Sequence, residues 1–153
     1  MKKFLLLCSA AFLFSAPAAY AGNIEYGYNA HGEYVPVKVG GKHITYGYNA
    51  QGNYVPTAVG NDKIEYGYNA QGNFVPKAIG DDDISYGYNA QGNFVPTTVG
   101  HDSVGYGYNA NGDYVATSVG NKQINYGYNP QGKYVPVSVG RHSLLVNNNQ
   151  LNR

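Results

Sequence analysis

The chain is predicted to be all-β, a tandem array of 20-residue β-hairpins. Three observations predict it. The phrase Tyr-Gly-Tyr-Asn returns every twenty residues, in units 21–40, 41–60, 61–80, 81–100, 101–120 and 121–140, with no insertion between them. Inside each unit large apolar residues alternate with small or polar ones, the period of a half-buried strand. An Asn-x-x-Gly turn separates two such stretches in every copy. A fixed period of this length signals a stacked array rather than an ordinary globule.

The first element is an export leader, residues 1–21. Lys2 and Lys3 supply its positive start, residues 4–14 form an apolar run, and small residues lead to Ala19-Tyr20-Ala21 before Gly22. That order suits a signal peptidase. The apolar run is too short to span a bilayer, which takes about 20 residues. The expected location is therefore periplasmic, cell-surface or extracellular, and the mature chain is not expected to span a membrane. Cys8 is the single cysteine and lies inside the leader, so no disulfide is available after cleavage. Of ten Lys and Arg, losing Lys2 and Lys3 leaves eight against nine Asp and Glu, a net charge of −1. So even a balance implies neither nucleic acid nor an acidic membrane as partner.

The array itself is placed at residues 22–140. In the second copy Ile44, Tyr46 and Tyr48 share one face of a first strand, while Thr45 and Gly47 point the other way. Asn49-Ala50-Gln51-Gly52 then reads as a type I turn closed by a left-handed glycine, a common hairpin connection. The corresponding turn pairs are Asn29 and Gly32, Asn69 and Gly72, Asn89 and Gly92, Asn109 and Gly112, and Asn129 and Gly132. Residues 53–59 form the second strand, and 60–63 turn the chain into the next unit. Pro56 recurs as Pro36, Pro76, Pro96 and Pro136, with Ala116 in the fifth copy. Proline lacks an N–H, so a corner or open edge is expected there. Residues 141–153 keep only Leu144 and Val146 of the pattern and are read as a capping half-unit.

One unit cannot fold alone. Ordering twenty residues costs about 20–40 kcal/mol of backbone entropy. Ile44, three aromatics and two valines, at about 1.5–3 kcal/mol each, do not offset that. Neighbouring units must supply the missing contacts, and the ends of the array must be closed off. Two arrangements meet this need: antiparallel hairpins along an open, curved ribbon, or a parallel β-solenoid with one coil per repeat. The turn chemistry favours hairpins.

The stretch "YGYNAQGNF", Tyr66 to Phe74, resembles the aromatic 20-residue hairpin repeats of choline-binding and glucan-binding modules of bacterial surface proteins. The similarity covers residues 24–140. It implies a hairpin array with an aromatic ligand surface. Those modules build their cage from tryptophan; this chain has none, and Ser85 and Thr98 stand in the equivalent slots of the fourth copy. A looser resemblance, to curli-type amyloid subunits, rests on tandem units rich in Gly, Asn, Gln and Tyr and implies self-assembly.

Catalysis needs a unique constellation, which this repetition does not offer. His31, His43, His101 and His142 are scattered without a metal-ligand spacing, and Asp81-Asp82-Asp83 reads as a solvated loop. Neither enzymatic activity nor a cofactor or bound metal is expected. The tyrosines remain. Tyr34, Tyr54, Phe74, Phe94, Tyr114 and Tyr134 form the row expected to offer stacking surfaces to sugars or cationic headgroups, since Phe replaces Tyr there freely. Two other rows never lose the hydroxyl and are expected to be structural. They are Tyr26, Tyr46, Tyr66, Tyr86, Tyr106 and Tyr126, and beside them Tyr28, Tyr48, Tyr68, Tyr88, Tyr108 and Tyr128. The leading expectation is a secreted structural or adhesive protein that self-assembles. The alternative is a module binding surface glycans or cell-wall polymers through repeated aromatic sites.

Overall fold

The computed structural model describes residues 21–140. The expected leader, to residue 20, and the expected capping half-unit, 141–153, lie outside them. Twelve strands follow in order: β1 Gly22–Tyr28, β2 Tyr34–Val39, β3 Lys42–Tyr48, β4 Tyr54–Val59, β5 Asp62–Tyr68, β6 Phe74–Ile79, β7 Asp82–Tyr88, β8 Phe94–Val99, β9 Asp102–Tyr108, β10 Tyr114–Val119, β11 Lys122–Tyr128 and β12 Tyr134–Gly140. Each odd strand pairs antiparallel with the even strand after it, one hairpin per unit.

The hairpins form neither an open ribbon nor a parallel solenoid. They close into an antiparallel barrel, with β1 against β12. Gly22 and Asn23 pair with Val139 and Ser138, the register that Lys42 and His43 make with Val39 and Lys38 inside the chain. Pairing of first strand with last thus closes the array, a role the sequence suggested for a cap.

Pairing is uneven around the barrel. Within a hairpin the ladder runs the whole strand, from Ile44↔Val59 to Tyr48↔Tyr54 in the second unit. Between hairpins it stops after two pairs, Ala58↔Lys63 and Val59↔Asp62 at the next junction. Both pairs lie beside the two-residue turn 60–61. One end of the barrel is therefore knit continuously, while toward the Asn-x-x-Gly turns the hairpins face each other across six unpaired seams.

The inward face explains the alternation. Ile44 and Val59 are buried, and their equivalents from all six hairpins meet in one apolar cluster at the knit end. Val119 has no exposed surface at all. Tyr26, Tyr46, Tyr66, Tyr86, Tyr106 and Tyr126 pack on that cluster from the side of the seams.

Proline does not end its strand. β4 runs through Pro56 to Val59, with Tyr46 opposite Pro56 and a bulge that leaves Thr57 unopposed. Asn49 N–H donates to the carbonyl of Asn53 beyond the Tyr48↔Tyr54 pair. Alternation from there makes Tyr46↔Pro56 a non-hydrogen-bonded pair, with the Pro56 nitrogen and carbonyl turned toward the seam. No ladder continues on that side, so the missing N–H costs nothing.

The bulge also accounts for the glycine of Tyr-Gly-Tyr. A Cβ on Gly87 would stand 3.1 Å from Cγ2 of Thr97, the bulged residue of that hairpin. Gly52 serves differently, with φ at +81°, where only glycine avoids a Cβ clash.

Candidate functional site

Three rows of aromatic rings run from the core to the rim at the Asn-x-x-Gly turns. The innermost row closes the seams. Tyr66 Oη donates to the Pro56 carbonyl at 2.7 Å, and Tyr26 Oη reaches the Pro136 carbonyl at 2.7 Å across the closure. Tyr46, Tyr86, Tyr106 and Tyr126 make the same bond to Pro36, Pro76, Pro96 and Ala116. Each hydroxyl thus takes the place of a ladder bond. Burial pushes the hydroxyls of Tyr26, Tyr46, Tyr66 and Tyr126 above the usual tyrosine range. Coulombic repulsion from neighbouring tyrosines, and for Tyr46 chiefly from Glu33, adds to the effect.

The second row, Tyr34, Tyr54, Phe74, Phe94, Tyr114 and Tyr134, is half-buried. Tyr54 stacks on Tyr46 with centroids 6.0 Å apart and planes 20° apart, and Tyr48 meets it edge-on at 5.1 Å. The Phe74 hairpin repeats this at 6.1 and 5.0 Å. Such pairs contribute about 0.5–1.5 kcal/mol each beyond burial. The row expected to meet ligand is thereby held between the other two, and it offers only part of each ring.

The outermost row, Tyr28, Tyr48, Tyr68, Tyr88, Tyr108 and Tyr128, is 59–67% exposed. These rings, expected from the sequence to be structural, form an exposed aromatic surface of the barrel. Each is tied to the turn of the preceding hairpin. Gln51, Gln71 and Gln91 donate through Nε2 to the hydroxyls of Tyr68, Tyr88 and Tyr108. Gln131 donates to Tyr28 at 2.7 Å, completing the circle. His31 Nε2 lies 2.7 Å from the Tyr48 hydroxyl, and Tyr128 donates to Asn111 Oδ1 at 3.5 Å.

The turn beneath each pair is firmly built. Asn49 Oδ1 accepts from the amides of Gln51 and Asn53 at 2.9 and 3.0 Å, and Gly52 N–H donates to the Asn49 carbonyl at 2.9 Å. The same two side-chain bonds recur at Asn29, Asn69, Asn89, Asn109 and Asn129. An Asx turn of this kind fixes where the following side chain leaves the backbone. Sequence reasoning passed over that side chain, at position 51 and its equivalents. The signal was present: His, Gln or Asn occupies it in all six copies, although a type I turn accepts most residues there.

Among the described residues no group of three His, Cys, Asp or Glu side chains is placed to hold a metal ion. The rim presents phenol rings, phenol hydroxyls and amides. It can stack on a flat apolar face while exchanging hydrogen bonds with polar edges. What fold and site define is a closed antiparallel barrel of hairpin repeats carrying a ring of exposed tyrosines. No protein-family model, curated protein or solved structure matches the chain.

Proposed function

We propose that this protein is an exported, multivalent carbohydrate-binding module that engages glycans through its tyrosine rim. The observation that carries this is the ring of six exposed tyrosines, each beside a hydrogen-bonding turn side chain of its neighbour. Contiguous exposed aromatic surface marks interaction sites. A pyranose offers the matching chemistry, an apolar ring face with hydroxyls around its edge. Single sites of this kind bind weakly, but several on one rigid frame gain avidity. Adhesion then follows from binding a polymer on a cell or wall surface.

Closure of the barrel weighs against self-assembly by strand addition, because the first and last strands pair with each other and leave no free end strand to template another chain. An outer-membrane barrel fits poorly too. The strands are six or seven residues long, against about 9–11 for a crossing strand. Glu25, Lys38, Glu65 and Lys77 also stand on the face away from the core cluster.

The test is glycan-array binding by the purified protein, followed by NMR shift mapping with the best oligosaccharide. Shifts concentrated on Tyr28, Tyr48, Tyr68, Tyr88, Tyr108 and Tyr128 are expected. Absence of glycan binding, or shifts confined to the knit end, would refute the reading.

A further inference from the structure

The six rim sites are not equivalent, and the difference lies one residue past the turn glycine. Each site combines a tyrosine of one hairpin with the turn of the hairpin before it. Three consecutive sites are built alike: Tyr68 bonded to Gln51, Tyr88 to Gln71 and Tyr108 to Gln91. All three turns read Asn-Ala-Gln-Gly-Asn and carry no charge.

The remaining three sites differ from these and from one another. Tyr128 meets Asn111 in a turn that carries Asp113, Tyr28 meets Gln131 in a turn that carries Lys133, and Tyr48 meets His31 in a turn that carries Glu33. Going round the barrel, their charges run negative, positive, negative. His31 also lays its ring 4.1 Å from that of Tyr54, a ring contact that glutamine cannot make.

Resting on the carbohydrate reading above, we infer that the ligand is a neutral, regularly repeating saccharide, bound along the arc of Tyr68, Tyr88 and Tyr108. A polymer with one repeating unit presents the same face and hydroxyls again and again, so identical neighbouring subsites suit it. The opposite arc suits no such polymer. A neutral chain there lies along turns whose charges, on Asp113, Lys133 and Glu33, it cannot compensate, and a uniformly anionic chain meets two like charges for every opposite one. The specificity residues of the arc are Gln51, Gln71 and Gln91.

Two triple variants separate the arcs at matched structural cost. One is Tyr68→Ala, Tyr88→Ala, Tyr108→Ala; the other is Tyr28→Ala, Tyr48→Ala, Tyr128→Ala. Each removes three rim rings, and circular dichroism establishes that both remain folded. Calorimetric titration uses cello-oligosaccharides and fully N-acetylated chitin oligosaccharides as neutral probes and an oligogalacturonate as the anionic one. If both triples unfold, the same comparison is made with Gln51→Glu, Gln71→Glu and Gln91→Glu in one variant and His31→Glu, Asn111→Glu and Gln131→Glu in the other. The first triple is expected to weaken neutral binding by about tenfold or more through lost multivalency, and the second by less than about threefold. Equal losses, or preference for the oligogalacturonate, would overturn the arc inference and leave the rim reading standing. Unchanged neutral binding in both folded triples would overturn the rim reading itself.

Discussion

Deleting residues 121–140 is expected to abolish the cooperative thermal transition and leave an associating chain. The deletion removes β11 and β12 and with them the partners of β1 and β10. Ile124 and Val139 leave the core. The hydroxyl bonds of Tyr26 to Pro136 and of Tyr126 to Ala116 are lost as well. Burial at about 1.5–3 kcal/mol per side chain and about 0.5–1.5 kcal/mol per hydrogen bond put the direct loss near 4–9 kcal/mol. That is comparable with the whole stability of a typical domain, about 5–15 kcal/mol. Two strand edges are exposed at the same time, which favours association. Differential scanning calorimetry and sedimentation velocity check this. A monomeric five-hairpin protein melting within a few degrees of the parent would show that closure contributes little.

The second large effect is alkaline unfolding. Burial raises the hydroxyls of Tyr26, Tyr46, Tyr66 and Tyr126 above their ordinary value of 10.0. The native state therefore holds protons that the unfolded chain releases near pH 10, and stability must fall as pH rises above that point. The stabilisation is fully present below the unfolded value and declines above it. Each tyrosine contributes a slope of at most about 1.4 kcal/mol per pH unit, so four together approach about 5.5 kcal/mol per unit. Strand content followed by circular dichroism should collapse within about one to three pH units above 10, given a typical domain stability. These four tyrosines should ionise together with the collapse, seen as tyrosinate absorbance. Their ionisation at ordinary pH with strands intact would contradict the seam bonds.

Much of the hairpin was legible because its determinants are local. Alternation placed Ile44, Tyr46 and Tyr48 on one face. Asn49 and Gly52 marked the turn, which the structure closes with a Gly52 N–H to Asn49 carbonyl bond. The strand starts were read late: β3 begins at Lys42, not Ile44, because Lys42 and His43 pair with the preceding hairpin, and neither carries an apolar signal.

Closure was not legible. It depends on the small rotation at each seam, set by two ladder pairs and one hydroxyl bond, and no single unit encodes a sum over six. Proline implies a corner from sequence because its missing donor is evident there while the direction that donor would face is not. The two hydroxyl-bearing rows also looked alike. Tyr46 and Tyr48 lie two residues apart on one face, and only distance from the knit end buries the first and exposes the second. The rim amides were overlooked because their partners lie 17 residues away, as from Gln51 to Tyr68.

The account stands on six hairpins closing into one ring, for only then do six tyrosines share a rim. Asn23 and Ser138 are directly paired across the closure, where facing Cα atoms lie about 4.5–5.5 Å apart, within disulfide range. A chain without Cys8, carrying Asn23→Cys and Ser138→Cys, should oxidise to a monomer with an intramolecular disulfide, identified by mass spectrometry of the linked peptides. A higher melting temperature should accompany the bond. Failure to cross-link, or disulfides found only between molecules, would contradict closure and leave an open array.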